Sequence, residues 1–162
     1  MSKLSIALRM TAVSVFLKLM VYTMNWQFTN YEKAYFFANV FILMSGVFFG
    51  IRNFKKQIAK PTSFLEDIKA GMKVAALYAI FMSAFVFFYY KVIDGQYFAA
   101  KLAQQLAQIE GGDESNLKRA REMGEVILSP FFQTTATLVG FLLLGSFYAA
   151  ILAFLMRKLK LR

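Results

Sequence analysis

The chain contains no cysteine and no histidine. That excludes disulfides, thiol redox chemistry, zinc sites built on cysteine or histidine, and histidine-dependent catalytic triads. Charge is missing from three long stretches, residues 34–51, 74–90 and 131–156, so these offer no acidic ligand to a metal. No internal repeat and no low-complexity segment stands out. What the chain has in excess is apolar surface. Of its 162 residues, 59% are hydrophobic and 17% aromatic, where a soluble domain is roughly 45–50% apolar.

Charge-free stretches of about 17–25 residues are candidates for membrane helices. Spans are expected at 5–24, 34–51, 74–93 and 131–156. The first carries Arg9 and Lys18 and reads as a retained helix rather than a cleavable signal peptide. The lysine splits its apolar region, and no small-residue cleavage site follows. Four spans leave little room for a soluble domain, so residues 1–162 read as one all-α membrane domain.

A net charge of +10 would suggest nucleic acid in a soluble protein. Here the placement of the charges points to the membrane and to no nucleic-acid partner. Lys3, Arg9, the loop with Arg52, Lys55, Lys56, Lys60, Lys69 and Lys73, and the tail with Arg157, Lys158, Lys160 and Arg162 supply twelve basic residues on one side. Only Glu66 and Asp67 oppose them there, whereas the other side has six basic and seven acidic residues. Basic flanks stay in the cytoplasm during insertion, so both termini and the middle loop are expected to be cytoplasmic.

Between the spans, Trp26, Tyr31 and Tyr35 are spaced like an interfacial belt. In "TSFLEDIKAGMK", Phe64, Leu65, Ile68 and Met72 recur at helical spacing behind Thr62 or Ser63 as N-cap. This predicts a short amphipathic helix on the cytoplasmic surface before the third span. After that span come Tyr89 and Tyr90, a turn at Asp94-Gly95, and Tyr97. Residues 96–128 then form a polar excursion. Phe98, Leu102, Leu106 and Ile109 make one apolar stripe, "EGGDES" breaks the helix with Asp113 or Ser115 as the next cap, and Leu117, Ala120, Gly124 and Ile127 make a thinner stripe. The pattern predicts an external helical hairpin of two segments of about 14 residues. Because the thinner stripe is too small to cover the first, Phe98, Leu102, Leu106 and Ile109 are the expected partner surface.

Candidate sites follow from depth. Lys18 lies about six residues, roughly 9 Å, inside the outer edge of its span. Asn39 lies at a similar depth, and Gln133, Thr134 and Thr137 cross the same layer. An intramembrane cation is costly enough to mark a functional site, and this one, with its amide and hydroxyl neighbours, would suit a lipid phosphate or a substrate carboxylate. The competing reading is that Lys18 reaches the outer interface while the others bond between helices or to backbone. Gly46 and Gly50 in "GVFFG" allow close helix packing. Arg52, Lys55, Lys56, Arg157 and Lys158 are expected to contact anionic lipid of the cytoplasmic leaflet. Arg9 is expected either to reach that leaflet or to pair with Glu66 or Asp67.

"GIRNFKK" after the second span, "SFLEDIKAGMKV" into the third, "YYKVID" out of it, the helical hairpin, and "SPFF" opening the fourth follow one pattern. It resembles the four-span membrane proteins of Bacteroidota grouped as a domain of unknown function, number 4199. Members of that family usually have proline after the aspartate, where this chain has Gly95, which loosens the exit turn. The resemblance implies a bacterial inner-membrane location. It also implies a polyprenyl-phosphate glycosyltransferase as partner.

No enzyme is expected. The carboxylates all lie in loops, and Glu122 and Glu125 sit among Arg119 and Arg121 as solvated ion-pair residues. No cofactor and no metal is expected either. The class that fits is a non-catalytic accessory or assembly subunit, docked to another membrane protein or to further copies of itself. The alternative is an oligomeric transporter or channel protomer with an anion site near Lys18. The charge pattern generates a direct test of topology. With no native cysteine as background, Asp113→Cys should react with an impermeant thiol reagent in intact cells, and Lys56→Cys should not; the opposite labelling would overturn the orientation.

Overall fold

The structure is a computed structural model and describes residues 2–58, 60–108 and 114–159. Every regular element among these residues is helical. They are α1 (Lys3–Thr23), α2 (Asn30–Gln57), α3 (Phe64–Phe88), a π-helical turn (Tyr89–Ile93), α4 (Tyr97–Ala107), α5 (Glu114–Ile127) and α6 (Pro130–Lys158). Four are long and apolar enough to cross a membrane: α1 with 21 residues, α2 with 28, α3 with its π-turn with 30, and α6 with 29. At 1.5 Å per residue, 28–30 residues reach about 42–45 Å, beyond a hydrocarbon layer of about 30 Å. The overshoot carries the charge, with Lys55 and Lys56 in the last turn of α2, Glu66 and Asp67 in the first of α3, and Arg157 and Lys158 in the last of α6.

Local chemistry sets the helix starts. The Ser2 hydroxyl accepts the Ser5 N–H at 3.1 Å, and the Thr29 hydroxyl accepts that of Tyr31 at 3.3 Å. Before α3, the Ser63 hydroxyl accepts the Glu66 N–H while the Glu66 carboxylate accepts the Ser63 N–H, so Ser63 caps the helix through a reciprocal box. Trp26 and Tyr31 of the aromatic loop stack with centroids 4.3 Å apart.

The amphipathic helix expected ahead of the third span is not a separate element. α3 is unbroken from Phe64. Nothing between Phe64 and Val74 interrupts the backbone ladder, and one face of the segment is already packed. Asp67, Ala70 and Gly71 are buried there, while Phe64, Leu65 and Met72 stay exposed. Gly71 lies so close to its neighbours that a Cβ would sit 2.9 Å from Val47, 3.1 Å from Ile51 and 3.2 Å from Ala149. The face read as interfacial is only the outer half of a helix that has begun to pack.

The chain divides into two compact units, Met1–Met82 with Leu138–Arg162, and Ser83–Thr137. The core of the first is built from Ile6, Met10, Leu43, Val47, Ile51, Val74 and Tyr78, closed by small residues such as Ala75, Ala79, Ala149 and Ala153. Gly46 receives Met10, and Gly50 receives Val74, whose Cγ2 would lie 2.7 Å from a Cβ there. Both glycines therefore serve contacts inside this unit.

The second unit holds the end of α3, the π-turn, the hairpin and the start of α6. The π-turn closes when the Asp94 N–H reaches the Tyr89 carbonyl five residues back, at 2.9 Å. The Tyr89 hydroxyl donates to the Asp94 carboxylate at 3.1 Å. Tyr90 packs its ring 4.4 Å from Phe98 and 5.0 Å from Tyr97. The hairpin segments are 11 and 14 residues long, and Leu102 of α4 lies directly over Gly124 of α5. Of the expected caps, Ser115 falls inside α5, and Asp113 lies outside the described residues. Ser129 starts α6 by accepting the Phe132 N–H at 3.2 Å, with Pro130 at the first helical position.

Candidate functional site

In the first unit, α1, α2 and α3 bring Ser14, Lys18, Asn39 and Tyr78 together in their apolar stretches, with Glu32 in the first turn of α2. Tyr78 of α3 is fully buried, and its hydroxyl lies 2.8 Å from that of Ser14 on α1 and 3.0 Å from Asn39 Oδ1 on α2. The Asn39 amide donates to the Tyr35 carbonyl one turn back, at 2.8 Å. This fixes Oδ1 as the acceptor for Tyr78. A phenol has a single proton, so Ser14 is then the donor to Tyr78. The bonds form one polarised chain, Ser14 to Tyr78 to Asn39 to the Tyr35 carbonyl, in which each bond strengthens the next.

Lys18 sits one turn along α1 from Ser14. Its ammonium lies 3.8 Å from Glu32 Oε1 and 5.4 Å from the centre of the Tyr35 ring. The Lys18 side chain is 5% exposed and that of Glu32 23%, so the ammonium meets a carboxylate and a ring face rather than water. Glu32, Tyr35 and Asn39 recur at i, i+3, i+7 on one face of α2, as Ser14 and Lys18 do at i, i+4 on α1.

Gln133, Thr134 and Thr137, placed by sequence in the same layer as Lys18, belong to the second unit. There the Gln133 amide donates to the Ile127 carbonyl at 3.1 Å, and the Thr134 hydroxyl to the Pro130 carbonyl at 2.7 Å. The first bond ties α6 to the end of α5, and the second lies within the first turn of α6. Thr137 is half-buried.

A second polar cluster closes the opposite end of the first unit. Asp67 is fully buried. Thr62 donates to its Oδ1 at 2.7 Å, Arg157 donates to Oδ2 through Nε and Nη2, both at 2.9 Å, and Lys55 lies 3.6 Å from Oδ2. Arg157 also reaches the Thr62 carbonyl. One carboxylate thus ties the loop before α3, the end of α2 and the end of α6. Asp67 takes these partners, whereas sequence had offered it to Arg9. Of the five cations read as lipid contacts, Lys55 and Arg157 point at Asp67; Lys56 and Lys158 are exposed and Arg52 is half-buried.

The expected partner stripe on α4 is divided. Phe98 is buried among Tyr90 and Tyr97, Leu102 and Leu106 are half-buried, and Ile109 lies outside the described residues. Among the described residues, the large exposed apolar side chains of the hairpin are on α5: Met123 at 63%, Val126 at 64% and Ile127 at 42%. Among the described residues, no group of three or more acidic, histidine or cysteine side chains is placed to hold a metal.

The ion pair generates a prediction opposite to that for a lysine reaching water. Lys18→Leu strands the Glu32 carboxylate and should lower the melting temperature in detergent. The loss should fall below the roughly 3–5 kcal/mol of a fully buried broken pair, because Glu32 keeps some contact with water. The double variant Lys18→Leu, Glu32→Leu should recover much of it. A single variant as stable as the parent would show that the pair contributes nothing.

No match is found among curated proteins, and none among solved structures. A family model matches residues 5–158, nearly the whole chain. The chain therefore belongs to the family described as protein of unknown function (DUF4199).

Proposed function

We propose that this protein is a non-catalytic accessory or assembly subunit of a bacterial inner-membrane complex. Both termini and the α2–α3 loop face the cytoplasm, and the α4–α5 hairpin faces outward. The observation that carries this reading is that the polar groups within the bundle are spent on one another. A permeation path or an active site needs groups held ready for a ligand. Here the Lys18 ammonium faces Glu32, and Ser14, Tyr78 and Asn39 bond in series. Such an interior holds helices in register, which is what a scaffold requires.

The surface offered to a partner is the exposed flank of α5 at Met123 and Val126, which carries apolar side chains outside the hairpin's own packing. The resemblance seen in the sequence makes a polyprenyl-phosphate glycosyltransferase the partner to look for. The test is purification of the intact protein in mild detergent, with and without Met123→Asp and Val126→Asp. The reading predicts a stoichiometric membrane-protein partner that both variants lose while remaining inserted and as thermostable as the parent. A partner-free oligomer that conducts ions in liposomes, unaffected by either change, would favour the transporter reading instead.

A further inference from the structure

The start of α1 and the end of α2 enclose a cleft of about 450 Å³ within the first unit. That is within the range of small-molecule sites, roughly 300–1,000 Å³. Its lining is graded. Ile6 and Gly50 are buried and apolar, Phe54 forms a half-buried wall, and Ser2, Lys3, Asn53 and Gln57 supply a hydroxyl, an ammonium and two carboxamides. The Lys3 ammonium is held over the Phe54 ring, 5.6 Å from its centre. Asn53 and Gln57 are four residues apart and so share one face of α2, as Lys3 and Ile6 share one face of α1. The cleft therefore presents hydrogen-bonding groups and one positive charge beside apolar side chains.

Its position along the helices decides what such a cleft meets. The charge-free run of α2 ends at Ile51, so Asn53, Phe54 and Gln57 lie where the helix leaves hydrocarbon. Lys55, on the same turns, is directed to Asp67, and Lys3 is the cation among the lining residues. We propose that this cleft seats the phosphate headgroup of an anionic membrane lipid. Lys3 takes the phosphate, the Asn53 and Gln57 amides take headgroup hydroxyls, and Ile6 and Phe54 lie against the start of an acyl chain. One ammonium matches one phosphate. Carboxamides both donate and accept, which suits a glycerol headgroup, and the Phe54 ring, the lining group that could attract a quaternary ammonium, already faces the Lys3 ammonium. The lipid class is accordingly a phosphatidylglycerol-like phosphodiester.

The inference is independent of the accessory-subunit reading and is tested with the purified full chain by native mass spectrometry. The probes are phosphatidylglycerol, phosphatidylcholine and inorganic phosphate. Phosphatidylglycerol should be retained at one molecule per chain in preference to phosphatidylcholine. Lys3→Gln should weaken retention about fivefold, as expected for one basic contact at a lipid surface. Asn53→Leu should weaken it and narrow the preference between the two lipids. Lys3→Arg should retain the lipid, which separates charge recognition from misfolding, and Lys33→Gln, an exposed cation at the other end of α2, should have no effect. Equal retention of both lipids, or an equal loss with Lys33→Gln, would overturn the site. Displacement of the lipid by millimolar inorganic phosphate would overturn the lipid assignment.

Discussion

The Tyr78 hydroxyl is buried between α1 and α2, where no solvent can hydrate it, and the packing of the first unit follows from how it is satisfied. In hydrocarbon an unpaired polar group costs several kcal/mol. Accepting from Ser14 and donating to Asn39 removes that cost only when three helices present these residues to one another. The rotation of each helix about its axis is thereby limited. With α1 and α2 so turned, Gly46 lies under Met10, and with α2 and α3 so turned, Gly50 lies against Val74. The polar bridge selects the orientation, and the small residues let the backbones close on it. In lipid, where apolar burial scarcely drives helices together, close packing and hydrogen bonds are the forces that remain.

Near the ends of the helices the same unit is held by charge. Asp67 collects a hydroxyl, a guanidinium and an ammonium, and Lys18 faces Glu32. These pairs sit where the helices approach the limits of the apolar layer, so their desolvation is smaller than it would be at the centre. A core of neutral bonds flanked by ion pairs is the arrangement on which the proposal of an accessory subunit rests.

Three of the four long helices were legible as charge-free runs long enough to cross a membrane, and α1 as an apolar run interrupted only by Arg9 and Lys18. Gly46 and Gly50 were legible as packing residues for a similar reason, since a "GVFFG" spacing puts both on one face. The hydrogen-bond partners were not. Tyr78 stands in an apolar run where a tyrosine reads as one more aromatic, and only the facing helices reveal what its hydroxyl meets. Glu32 and Asp67 were placed outside the spans, because a carboxylate is seldom buried unless it is paired. Both helices extend further than their charge-free runs, which brings those residues onto packed helical turns. The α4 stripe was legible as a stripe, yet the residues that cover it, Tyr90 and Gly124, lie before and after it in the chain. Periodicity marks an apolar face without naming its occupant.

The Ser14–Tyr78–Asn39 bridge links the first three helices. A double-mutant cycle between Ser14→Ala and Tyr78→Phe, read by reversible unfolding in detergent or bicelles, tests it most directly, because it isolates the energy of the bond from the loss of each group alone. Each single change should destabilise, and the two should be coupled by about 0.6 kcal/mol, the average for hydrogen bonds between membrane helices, and by no more than about 1.7 kcal/mol. Strictly additive changes, with no coupling between the two hydroxyls, would contradict it.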